Sequence, residues 1–167
     1  GELAGLLSAT YPDDRLADLT LAPPLRAAIE RVLTEQRQRS FLGEYGLFPA
    51  RRVLMTGPPG TGKTSTARAV AGELGLPLFA VRLDALITKY MGETAAKLRL
   101  VFDQLSEAHG VYLFDEVDAL ASERSLGNDV GEIRRVINSF LQFLEEDPSD
   151  SIVLAASNHP GLLDRAF

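Results

Sequence analysis

The sequence of 167 residues contains no cysteine. This excludes disulfides, thiolate metal sites and cysteine nucleophiles together, and it suits a reducing compartment. Long apolar runs are also missing: none approaches the roughly 18 residues a membrane-crossing helix requires. No basic residue precedes Arg15, so the N-terminal stretch has neither the charged nor the apolar region of a secretory signal. These features lead us to expect a cytoplasmic protein, and the opening Gly1, in place of Met, an excerpt of a longer one. Repeats and low-complexity tracts are absent. The 46% hydrophobic and 24% charged residues are the proportions of one globular domain.

Positive charge is in short supply. Seventeen Lys and Arg stand against 23 Asp and Glu, a net charge of -6, which argues against nucleic acid as the main partner. The deficit lies in the second part of the chain: residues 1–99 carry 13 basic and 10 acidic side chains, residues 100–167 carry 4 and 13. Opposite signs suit a contact between neighbouring subunits, and equally an ordinary solvated surface.

Apolar periodicity predicts alternating helices and strands. Leu25, Ala28, Ile29, Val32 and Leu33 follow Pro23-Pro24 at helical spacing, giving a helix over 24–39. Arg52 to Met55 reads as a short buried strand. Ala67, Val70, Ala71 and Leu74 mark a helix over 62–74, stopped by Gly75 and Pro77. A strand over 78–83, a helix through Leu98, Val101, Phe102 and Leu105, and a strand over 111–114 follow. Asp129 and Glu132 form a capping pair for a helix carrying Ile133, Val136, Ile137, Phe140, Leu141 and Leu144, closed by Pro148. Ile152 to Ala156 is the next strand, and a last helix starts at Pro160. The pattern predicts an α/β fold, a parallel sheet with helices on both faces, and Gly57-x4-Gly62-Lys63-Thr64 between its first strand and the next helix makes it the P-loop NTPase type.

The chemistry is carried by Gly57-Pro58-Pro59-Gly60-Thr61-Gly62-Lys63-Thr64, which fits Gly-x4-Gly-Lys-Ser/Thr between a strand and a helix. Such a loop turns its N–H groups inward around phosphates, and the following helix offers its positive end to the anion. Pro58, Pro59, Gly60, Thr61, Gly62, Lys63, Thr64 and Ser65 are therefore the candidate ATP contacts. Lys63 is the group for the β- and γ-phosphates and Thr64 the hydroxyl for Mg²⁺. Asp115 and Glu116 end the strand over 111–114, at the carboxyl edge where open α/β sheets bind ligands. Asp115 is the candidate second Mg²⁺ group. Glu116 is the candidate base that polarises water for attack on the γ-phosphate. Each fragment alone also fits a plain turn or a solvated strand end; their combination does not.

Four segments in order resemble the AAA ATPases, the branch with proteasomal ATPases, membrane-anchored AAA proteases, and katanin-like and spastin-like remodellers. They are Gly57 to Thr64, Lys89-Tyr90-Met91-Gly92-Glu93, Phe114 to Leu120, and Ala156-Ser157-Asn158-His159-Pro160 leading into Leu163 to Ala166. The resemblance covers about residues 15–167. It implies that Asn158 is sensor 1, orienting the attacking water from the strand between the two nucleotide-binding strands. It implies that Tyr90 and Met91 form an aromatic pore loop gripping polypeptide, and that Asp18 and Leu19 contact adenine through backbone groups. A Tyr-Met pair between two helices also fits plain core packing. The chain departs from the family at Leu144 to Asp147, where relatives end the helix in Asp-Gly, and at Thr20, where Gly is commoner. It also stops at Phe167, before the arginine fingers, fifth core strand and helical lid.

The expectation is thus the large α/β subdomain of an AAA ATPase, nearly inactive alone, that uses Mg-ATP hydrolysis for protein unfolding, translocation or remodelling. The resemblance implies a homo-oligomer, a hexameric ring in the full-length protein, with a polypeptide substrate and room for a protease partner. Two alternatives are a nucleic-acid-directed loader or helicase module using Arg37, Arg39, Arg51 and Arg52, and an ATP-controlled binding switch with little turnover.

Overall fold

Four parallel strands arise because each is joined to the next through a helix, too long a connection for a hairpin. The computed structural model describes residues 2–57, 62–87, 91–117 and 130–158. Its strands are β1 (Leu7–Thr10), β2 (Arg52–Thr56), β3 (Leu78–Val81), β4 (Val111–Phe114) and β5 (Ile152–Ser157). Its helices are α1 (Pro23–Arg37), α2 (Arg39–Glu44), α3 (Lys63–Leu74), α4 (Leu83–Leu86), α5 (Met91–Glu107) and α6 (Val130–Glu146). The sheet order is β1-β3-β4-β5-β2. Thus β5 lies between β4 and β2 and pairs in parallel with both.

Alternation along the strands divides the core into two layers. Val111 and Leu113 of β4, with Ile152, Leu154 and Ala156 of β5, meet Ile29 and Val32 of α1 and Ala67, Val70 and Ala71 of α3. Tyr112, Phe114, Val153 and Ala155 point the other way, onto Leu98, Phe102 and Leu105 of α5 and Phe140 and Leu144 of α6. Phe114 and Phe140 are fully buried and meet edge to face at 5.3 Å. Burying a side chain of that size contributes about 1.5–3 kcal/mol.

The sheet is mostly parallel, as expected, and β1 is an addition to it: it joins β3 antiparallel with Leu7 opposite Val81, and its Ser8, Ala9 and Thr10 are exposed, so it shows no apolar run. Two element bounds require correction. The strand over 78–83 ends at Val81, and Leu83 opens α4 instead. The helix over 24–39 stops at Arg37, and α2 starts two residues later. The capping pair proposed at Asp129 and Glu132 lies outside what is described. The helix from Pro160 is also outside the described residues.

Polar clamps fix the ends of these layers. Arg51 Nη1 donates to Asp147 Oδ2 at 2.7 Å and Nη2 to the Asp147 carbonyl at 2.9 Å. Ser149 donates to the same carboxylate from its N–H at 3.0 Å and its hydroxyl at 2.9 Å. The start of β2, the end of α6 and the entry to β5 are thereby tied together. On α3, a Cβ at Gly72 would lie 2.1 Å from the Asp14 carbonyl oxygen, so glycine is required where the N-terminal segment crosses the helix. Glu73 beside it accepts from the Leu16 N–H at 3.0 Å and from Arg37 Nη2 at 3.0 Å.

Candidate active site

The site gathers at the carboxyl edge of the parallel strands. Gly62 has φ 89°, a left-handed conformation that a side chain would strain, and from it the backbone turns directly into α3. The Gly62 carbonyl accepts from the Thr66 N–H at 2.8 Å and the Thr66 hydroxyl at 2.7 Å, anchoring that first turn. Lys63 opens α3, and Thr64 and Ser65 are exposed beside it. The Lys63 ammonium donates to the Gly57 carbonyl at 2.6 Å, joining the described ends of the phosphate loop. Pro58, Pro59, Gly60 and Thr61 lie outside the described residues.

Asp115 and Glu116 occupy the turn after β4. Glu116 has φ 53°, a conformation costing an L-residue about 1 kcal/mol or more and often found at functional sites. The turn is held to the next strand by the Val117 N–H, which donates to the Ala156 carbonyl at 3.1 Å. Asn158 directly follows β5, which lies between β2 and β4. Its Oδ1 accepts from Lys63 Nζ at 3.4 Å. Residues Thr64, Asp115 and Glu116 line one cavity of about 680 Å³ together with Ala80, Arg82 and Asp84.

These donors fit Mg-ATP. The first turn of α3 presents N–H groups with no partner inside the helix, with an ammonium beside them. The Thr64 hydroxyl and Asp115 carboxylate are hard oxygen ligands of the kind Mg²⁺ takes when phosphates complete its shell.

Other sequence-derived candidates fall elsewhere. Asp18 closes a short 3-10 turn and Leu19 follows it; their N–H groups donate to Arg15 and Leu16 carbonyls at 3.1 and 3.0 Å. The Leu19 carbonyl accepts from Arg26 Nη2 at 2.6 Å. Met91 is the first residue of α5, its side chain lies outside what is described, and so does Tyr90. The four arginines suggested for nucleic acid do not form an open patch. Arg37 pairs with Glu73 at 3.0 Å, Arg39 with Asp150 at 3.0 Å and Arg51 with Asp147 at 2.7 Å. Arg52 is half-buried, which lowers its pKa, as does the neighbouring Arg51 charge. The residue that sequence reasoning missed is Arg82, whose signal lay only in its position one residue past β3.

A strand, glycine-rich loop and helix at one sheet edge, with an acidic pair after β4 and an asparagine after the intervening β5, make this an α/β fold of the P-loop NTPase type. The chain belongs to the ATPase family associated with various cellular activities (AAA), which it matches over residues 53–167. It is 38% identical over 164 residues to the uncharacterized AAA family ATPase y4kL of Sinorhizobium fredii, covering 98% of this chain and 50% of that protein. It is 37% identical over 158 residues to the ATP-dependent zinc metalloprotease FtsH 1 of Symbiobacterium thermophilum, covering 90% and 26%. With ATPase family gene 2 protein homolog A of Homo sapiens it shares 38% over 153 residues, covering 88% and 17%. The chain therefore spans about half, about a quarter and less than a fifth of the length of these three relatives. Among the described residues, no helix is long and apolar enough to cross a membrane.

Proposed function

We propose that these residues are the large α/β subdomain of a longer cytoplasmic AAA ATPase that hydrolyses ATP in a homo-oligomeric ring, a hexamer, and uses the cycle to unfold, translocate or remodel polypeptide. The observation carrying this reading is the convergence of Lys63, Asn158 and the Asp115–Glu116 turn at one edge of the sheet. The FtsH relative, by name an ATP-dependent metalloprotease, supports a polypeptide substrate and a protease partner.

The loop amides and Lys63 bind the phosphates and offset their charge, so Lys63 leaves the Gly57 carbonyl for a stronger anion. Mg²⁺, held by Thr64 and Asp115, would supply further neutralisation of phosphate oxygens when bound. Glu116 accepts a proton from water aligned for in-line attack. Asn158, with its carbonyl end toward Lys63, presents its NH₂ end to orient that water. Asp18 and Leu19 contact adenine through backbone groups, exchanging part of the hydrogen bonding of their turn for the base. Tyr90 and Met91 grip substrate. The arginine fingers and lid come from outside these residues, so the chain alone turns over slowly; an absent finger costs about 10³ to 10⁵ in rate.

The test is Glu116→Gln in an assembled full-length ring. Nucleotide should bind and persist while hydrolysis falls sharply. Equal loss of binding and turnover would assign Glu116 a structural role, and slow turnover by the intact ring would favour a binding switch.

A further inference from the structure

We propose that Arg82 reads the terminal phosphate of the nucleotide from within the same chain, so that ATP is held more tightly than ADP. The assignment rests on the nucleotide reading above and adds a residue that no phosphate-loop motif contains. In the β3–β4 register, Ala80 lies opposite Leu113 and Val81 opposite Phe114. Arg82 and Asp115 are the residues that directly follow these two paired strands. Ala80 shares a sheet face with Leu113, its partner in register. All four line the cavity that also contains Thr64 and Glu116.

The charge in that cavity is unbalanced. Among the described lining residues, Asp84, Asp115 and Glu116 are acidic and Arg82 is the one cation. A terminal phosphate adds negative charge to the same space, and Arg82 is the lining group able to offset it. Its present ion pair is weak. Nη2 stands 3.8 Å from Asp84 Oδ2, with the two side chains 56% and 79% exposed. An exposed pair at that separation contributes little, whereas a phosphate accepts two parallel N–H bonds from a guanidinium.

The anchor of the side chain is firm although its end is not. The Arg82 N–H donates to the Leu6 carbonyl at 2.8 Å, and its own carbonyl accepts from Ala85 and Leu86 at 3.1 and 3.2 Å. The guanidinium can therefore exchange Asp84 for phosphate by rotating its side chain, with no movement of the sheet.

The experiment is calorimetric titration of Mg-ATP and Mg-ADP into the wild-type chain, Arg82→Ala, Arg82→Lys and Lys63→Ala. Arg82→Ala should lose about tenfold in ATP affinity, the equivalent of one charge-assisted hydrogen bond, and little in ADP affinity. Arg82→Lys should recover part of the difference. Proportional loss of both nucleotides, or no loss of either, would overturn the assignment, as would faster turnover with an unchanged ATP-to-ADP ratio, which would make Arg82 a restraint on Glu116. If the wild type binds neither nucleotide, the nucleotide reading fails and this one with it. If binding is normal and abolished only by Lys63→Ala, the role of Arg82 alone fails.

Discussion

Asn158 accepts a hydrogen bond from Lys63 at 3.4 Å, joining residues 95 positions apart, one just past the end of β5 and the other at the start of α3. Asn158 follows β5, which lies between β2, leading into the glycine-rich loop, and β4, ending at Asp115 and Glu116. Asn158→Ala should leave Lys63 with its Gly57 partner and nucleotide affinity nearly intact. Turnover in a full-length ring should fall by about 10²-fold, the usual cost of removing a preorganised donor. Steady-state kinetics beside equilibrium binding checks this.

Glu116 should be held at a cost to stability. With φ 53°, Glu116→Gly relieves the left-handed strain and should stabilise the chain by up to about 1 kcal/mol, net of the added freedom of the unfolded glycine. The melting temperature should rise by about 2 °C while hydrolysis is lost. A lower melting temperature would mean that the turn is held by the side chain instead.

Asp147, just past the end of α6, has its side chain fully buried against Arg51. Asp147→Ala leaves Arg51 and the Ser149 N–H without their anion and should cost about 3 kcal/mol in urea unfolding. Asp150→Ala, breaking a pair with a 70% exposed carboxylate, should cost less than about 1 kcal/mol.

The Glu73 carboxyl has its pKa lowered by the Leu16 N–H and then by Arg37 and Arg15. A carboxyl lowered in the folded state stabilises it above the unfolded value and loses that contribution as pH falls through the folded one. Stability should therefore drop on acidification from about the ordinary value of 4.5 downward. Glu73→Gln should flatten that part of the profile of melting temperature against pH.

Much of this arrangement was legible in the sequence because its causes are local. Val111 to Phe114 is apolar at every position and is buried at every position, so its length alone marked a central strand. Leu7 to Thr10 was illegible for the converse reason: an exposed four-residue edge strand buries too little to leave a pattern. Leu83 follows the apolar run Leu78 to Val81 after one arginine, and the chain leaves the sheet at Arg82 to enter α4. At the site, the phosphate loop and acidic pair follow from residue type and spacing. The Glu116 backbone strain, the Asp147 clamp and Arg82 beside Asp115 depend on which strands pair, a long-range choice no short window contains.

The most direct test of the central claim, that Lys63 and its loop bind ATP through the phosphates, is the melting temperature with and without Mg-ATP. At 100 times the dissociation constant, ATP should stabilise the wild-type chain by about 2.7 kcal/mol, raising the melting temperature by several degrees. Lys63→Ala, folded but lacking the ammonium, should show no shift. An undiminished shift in that variant would contradict the account.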